Sequence, residues 1–163
     1  RVAPNFVNPP PAVLSRIRDE AAFIRDAYAA SAPTRLWTEP FLRPVAEAAN
    51  SSFGTRSVYN GERRSPHTGT DFLSPAGTTV AAPAAGRVVI AQDLYYSGNT
   101  VIIDHGLGVF SMLAHLSRID VRPGTSIQLV RGWCTERDGS LVVSTGRNGR
   151  LLLLDAPGVP EQA

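Results

Sequence analysis

The sequence predicts a mainly β protein, an antiparallel sheet or sandwich with one N-terminal helix. Three observations carry this expectation. Segments rich in β-branched residues recur at short intervals between residues 78 and 114, separated by Gly-, Pro- and Asn-bearing turns. The dipeptide Asn60-Gly61, a strong hairpin-turn signal, opens that region. An apolar repeat in steps of three and four lies before it, from Leu14.

Residues 1–12 contain Pro4, Pro9, Pro10 and Pro11 and read as a stiff, extended lead-in. Leu14, Ile17, Ala21, Ile24 and Tyr28 then mark one face of an amphipathic helix, with Pro11 near its start and Pro33 beyond its end. It is expected to serve as a spacer or as a docking surface for a protein partner. Pro40 and Pro44 forbid a further long helix. Strands are expected at Thr78 to Ala81, Arg87 to Ala91, Thr100 to Asp104 and Val109 to Ala114. The turns between them fall at Pro75 to Gly77, Pro83 to Gly86, Ser97 to Asn99 and Gly106 to Gly108. From about Gln128 the pattern loosens, although Val142-Val143 and the leucines at 151–154 are strand candidates. The chain thus divides into a lead-in and helical spacer at 1–49, a β domain at 50–127, and a divergent tail at 128–163.

Composition narrows the functional classes. The chain has 163 residues, of which 43% are hydrophobic, enough for one core but not for two full domains. All 16 basic residues are arginine, with no lysine, which suggests a GC-rich genome. The arginines form no stripe interleaved with aromatics, so nucleic-acid binding has no support. No apolar run approaches the roughly 20 residues of a membrane span. The sequence opens on Arg1 without a charged-then-apolar leader, so an export signal is expected to have been removed or to lie outside it. A lone Cys134 excludes an internal disulfide, and its surroundings give no reason for a reactive thiolate.

Three histidines, His67, His105 and His115, carry any metal or proton-transfer chemistry. His67-Thr68-Gly69-Thr70-Asp71 offers an imidazole and a carboxylate, both good zinc ligands. On a straight strand the two would stand on the order of 13 Å apart, so they can share an ion only if the segment bends at Gly69. The plain alternative is a surface turn in which Asp71 binds backbone amides. His115 is expected where a strand gives way to a loop, a position that favours binding groups. His105 reads as a turn histidine. Tyr95, Tyr96 and Asn99 are candidate substrate contacts, although paired tyrosines more often simply pack. No nucleophile elbow, phosphate-binding loop or His-Glu-x-x-His helix occurs.

Taken in order, several segments resemble the lysostaphin-type (LytM-type) zinc metallopeptidases, which cut peptide cross-links in bacterial peptidoglycan. They are Phe53-Gly54-Thr55-Arg56, His67-x-x-x-Asp71, Pro75-x-Gly77-Thr78-x-Val80-x-Ala82-Pro83-x-x-Gly86-x-Val88, Thr100 to Gly106, and Ala114-His115-Leu116-Ser117. The resemblance covers roughly 50–127. It implies zinc held by His67 and Asp71, with His115 polarising water or stabilising the developing oxyanion in metal-assisted amide hydrolysis. It also implies a periplasmic or extracellular place in the bacterial envelope, and peptidoglycan stems or cross-bridges as the partner.

The sequence departs from that pattern after His115. The family's second motif, His-x-His after a Gly-x-Thr-Gly-Arg-type loop, supplies the third zinc ligand and another catalytic histidine. Gapless alignment of Ser144-Thr145-Gly146-Arg147 with that loop puts Leu152 and Leu154 at the two histidine positions, and Leu113 replaces a common tyrosine. Zinc binding is therefore expected to be weak or absent, and catalysis impaired. A non-catalytic wall-binding or hydrolase-regulating module is the alternative, and a metal-free carrier-type β-sandwich a third reading. The tail is open to two origins, genuine divergence or a shifted reading frame near Ile127.

Overall fold

The computed structural model describes residues 9–155 except 52, 64, 76, 131–132, 137–139 and 145–151. A 3-10 turn at Pro11–Val13 leads into helix α1, Leu14–Ala29, with Pro11 at its first position. No helix among the described residues is long and apolar enough to cross a membrane.

The helix forms where the repeat predicts it, but its inward face differs. Val13, Ile17, Glu20, Ile24 and Ala27 are the half-buried stripe, whereas Leu14 is 44% and Tyr28 40% exposed. The reason lies in what the helix meets. Arg16 pairs with Glu20 at 2.6 Å and with Asp93 at 2.7 Å. The Tyr95 amide donates to Glu20 Oε2 at 2.8 Å, and the Tyr28 ring rests on Phe110 at 4.6 Å. These anchors rotate the apolar stripe by about one residue. The helix is thus docked on its own chain along this face.

A small hairpin follows, β1 (Val58–Tyr59) and β2 (Glu62–Arg63), turned through Asn60 and Gly61 at φ 52° and 88°. Both central residues lie in the left-handed region, as the Asn-Gly signal requires. The main sheet comprises β3 (Val80–Ala81), β4 (Gly86–Leu94), β5 (Gly98–Gly106), β6 (Val109–Leu116), β7 (Ser126–Val130), β8 (Trp133–Glu136), β9 (Ser140–Ser144) and β10 (Leu152–Asp155). Its pairings are antiparallel, in the order β10-β9-β8-β7-β4-β5-β6, with β3 against β9. This bears out the mainly β, antiparallel fold with one N-terminal helix. Strand backbone thus continues past Gln128, and the segments expected around 142 and 152 are β9 and β10.

Strand β5, flanked by β4 and β6, is buried from Thr100 to Gly106. Its run Val101-Ile102-Ile103 is unbroken because both faces are covered. Val101 and Ile103 join Val45, Val80, Ala82, Val88, Leu113, Leu116, Val121 and Ile127 in the core. Ile102, wholly buried, points to the other side.

That side is closed by α1 and by the strap after it. The strap is fastened through backbone bonds from Leu107 to Ala32 and from Leu36 to His105. Asp104, 4% exposed, completes the attachment. Its carboxylate accepts from the Ser31 hydroxyl and Ala32 amide at 2.7 Å each, and from the Gly106 amide at 2.8 Å. Burial pushes this carboxyl up, but the three donors and nearby His105 outweigh it and hold the group below the ordinary carboxylate range.

Two expected turns sit differently. The β4–β5 loop is Tyr95 to Ser97, so Gly98 and Asn99 already belong to β5. His105, read as a turn residue, is a strand residue with no exposure. Its ring pairs with the Ala85 carbonyl through Nδ1 at 2.7 Å and with Ser111 Oγ through Nε2 at 2.8 Å. Nδ1 therefore carries the proton and Nε2 accepts from the hydroxyl. Burial pushes the imidazole down, against the Ala85 bond and Asp104. With both nitrogens satisfied, His105 is a structural histidine.

Candidate functional site

His67 and Asp71 lie outside the main sheet, on a segment that runs antiparallel to residues 49–55. Gly54 donates to the His67 carbonyl at 2.7 Å, and the His67 amide to Thr55 at 2.8 Å. At the other end, the Asn50 amide donates to Asp71 at 3.0 Å and Ala49 bridges Phe72. Between these ties the backbone bends at Gly69, as the spacing demands. A Cβ built on Gly69 would lie 3.7 Å from His67 Nε2, so the ring folds back over the bend.

The bend brings His67 Nε2 to 3.4 Å from Asp71 Oδ1, far closer than a straight strand permits. When the imidazole carries a proton on both nitrogens the two form an ion pair. Two ligand atoms on one tetrahedral zinc, at bonds of about 2.0–2.1 Å, stand about 3.3 Å apart. The pair therefore fits two corners of such a site. Both side chains reach solvent, at 32% and 56% relative exposure. Among the described residues, no third His, Cys, Asp or Glu joins them in a group able to hold a metal.

Sequence reasoning missed Ser51. Its hydroxyl lies 2.8 Å from Asp71 Oδ2 and 3.3 Å from His67 Nδ1, and it accepts the Asp71 amide at 3.2 Å. The available signal was its place two residues before Phe53-Gly54-Thr55-Arg56, which holds this chain against the ligand segment.

His115, the residue before the end of β6, sits on a β-bulge. Asn99 pairs with Leu116 and Val101 with Leu113, so Ala114 and His115 together oppose Thr100. The extra residue takes φ 58°, in the left-handed region, and leaves the His115 side chain exposed. Bulges re-aim side chains in this way at sheet rims. The His115 amide donates to the Ser97 carbonyl at 2.8 Å, tying the bulge to the Tyr95–Ser97 loop.

That loop carries the expected aromatic surface. Tyr96 is 63% exposed and meets Tyr95 edge-on at 5.0 Å. Asn99 instead points its amide at the Ser117 carbonyl, 3.3 Å away. The structure thus pairs His67 with Asp71, and ties His115 to the tyrosine loop at one end of the sheet.

Residues 65–129 match the model of peptidase family M23. The peptidoglycan DD-endopeptidase ShyA of Vibrio cholerae is 38% identical over 79 residues, which cover 48% of this chain and 18% of ShyA. A Pseudomonas aeruginosa protein assigned to the same peptidase family superposes with a TM-score of 0.64 at 37% identity, over 90% of this chain and 59% of that one. A zinc-containing peptidase from Vibrio cholerae superposes with a TM-score of 0.52 at 26% identity, over 75% of this chain and 41% of that one. The chain spans about a fifth of the length of the curated relatives it matches.

Proposed function

On the footing that this chain carries a peptidase family M23 domain, we propose that it acts on peptidoglycan peptide cross-links through a zinc site built on His67 and Asp71. The observation that carries the reading is the 3.4 Å separation of Nε2 and Oδ1, the spacing of two ligands on one ion. When bound, zinc supplies Lewis acidity toward a peptide carbonyl and toward water. His67 and Asp71 hold the ion and offset part of its charge. His115, on its bulge, takes up a proton or donates to the oxygen that gains charge as the amide is attacked. Tyr96, in the loop tied to His115, offers an exposed ring to the substrate stem, with Tyr95 and Asn99 shaping the same loop.

The sequence holds no histidine after His115, and gapless alignment sets Leu152 and Leu154 at the family's last two histidine positions. Both leucines are in β10, paired with β9. With two ligands in place of the usual three, zinc is held weakly and cleavage is impaired. This favours a second reading, a wall-binding or hydrolase-regulating module that keeps the fold without turnover. Either role places the protein in the cell envelope or outside the cell, where its substrate lies.

Metal content and muropeptide digestion of the purified chain separate the readings. Zinc that survives dialysis, together with cleavage of cross-linked muropeptides, supports the peptidase. Weak zinc and sedimentation with sacculi without cleavage support the module. Metal content unchanged by His67→Ala and by Asp71→Ala overturns the ligand assignment.

A further inference from the structure

We propose that Ser51 is a positioning residue that fixes the ring state and orientation of His67 and Asp71, a role that rests on the metal-ligand reading above. A hydroxyl has one hydrogen and two lone pairs. The shortest contact, 2.8 Å to Asp71 Oδ2, takes the hydrogen, since a carboxylate can only accept. One lone pair accepts the Asp71 amide at 3.2 Å. The other faces His67 Nδ1 at 3.3 Å, so that nitrogen must bring its own hydrogen.

The consequence reaches the far side of both groups. With the hydrogen on Nδ1, the neutral ring presents a bare lone pair at Nε2, the form a metal requires. With Oδ2 occupied by Ser51, Asp71 turns Oδ1 toward that lone pair, 3.4 Å away. Two acceptors so placed repel each other until a cation lies between them. Metal-bound histidines elsewhere are oriented by a partner on their second nitrogen in the same manner. Here a single hydroxyl serves both ligands, from a chain segment 16 residues before His67 and 20 before Asp71.

The test compares wild type, Ser51→Ala and Ser51→Thr for zinc affinity by chelator competition, and for the His67 tautomer by ¹⁵N NMR of the metal-free protein. Ser51→Ala should weaken zinc by about ten- to a hundredfold, the usual cost of losing such a partner. Ser51→Thr, which keeps the hydroxyl, should restore most of that affinity. In the metal-free protein, Ser51→Ala should reduce the population with hydrogen on Nδ1, and Ser51→Thr should not. If Ser51→Ala binds zinc like wild type while His67→Ala does not, the Ser51 role is overturned and the ligand reading stands. If no form binds zinc, the ligand reading fails and the tautomer decides: a shift in Ser51→Ala alone upholds the positioning, and an unchanged ring overturns it.

Discussion

Replacing Asp104 tests whether a buried carboxylate, rather than apolar contact alone, holds the N-terminal strap onto the sheet. Its two oxygens accept three hydrogen bonds, from Ser31, Ala32 and Gly106. Asparagine can keep at most the two at Oδ1, and it turns its own N–H toward the Ala32 amide. A hydrogen bond to a charged acceptor is worth about 1.5–3 kcal/mol, and a stranded buried donor costs a similar amount. Asp104→Asn should therefore lower stability by about 3 kcal/mol, and Asp104→Ala, which strands all three donors, by about 4 kcal/mol. Against a typical total of about 5–15 kcal/mol, either loss is large. Urea unfolding followed by circular dichroism measures it directly.

The same carboxyl supplies a pH test. Its native value lies below the ordinary one, so its contribution is complete above the unfolded value near pH 4 and fades as pH falls through the native value. Wild type should lose stability more steeply than Asp104→Asn in that acid window. A loss below about 1 kcal/mol for Asp104→Asn, or parallel acid profiles for the two proteins, refutes the reasoning.

His105 should be neutral at pH 7 with its proton on Nδ1, and ¹⁵N NMR should find this ring titrating below an ordinary histidine. Because its native value is lowered, the stability it contributes is full above about pH 6.5 and declines below that. Gly106→Ala places a Cβ 1.9 Å from the Thr34 carbonyl at φ 83°, and should cost about 3 kcal/mol or abolish soluble folding. Gly98→Ala, at φ 61° with nothing within 4 Å, should cost only about 1 kcal/mol in the same urea unfolding. His115→Gly should be more stable than His115→Ala by about 1 kcal/mol, reversing the usual order, because only glycine relieves φ 58°. Both should show the same loss of any muropeptide cleavage.

Strand chemistry made most of the fold legible. Asn60-Gly61, Gly106 to Gly108 and the β-branched runs fix hairpins through local φ preferences and alternation, and those appear where expected. The helix was legible as a helix, but its buried face was set by the Arg16–Asp93 ion pair and the hydrogen bond from the Tyr95 amide to Glu20, about 75 residues away in sequence. His105 shows the same limit, since its burial follows from Phe41 and the Ala85 carbonyl closing over it. At the candidate site, the bend at Gly69 was readable from the chemistry of two ligands needing one ion. Ser51 was not, because its partners lie 16 and 20 residues on and only the antiparallel pairing at 49–55 brings them together. The bulge that lifts His115 depends on a one-residue offset between β5 and β6, and no local composition announces it.

Among the described residues, the His67–Asp71 segment is fastened to the rest of the molecule by backbone ties at its two ends and by the Ser51 hydroxyl, while the sheet interior is sealed from solvent. Regions held so lightly open on their own, long before the whole chain unfolds. An ion or substrate that grips both side chains will therefore spend its binding energy quieting this flap. Amide exchange at Gly54 and His67 will slow on occupancy, and the melting midpoint will rise with ligand concentration by mass action.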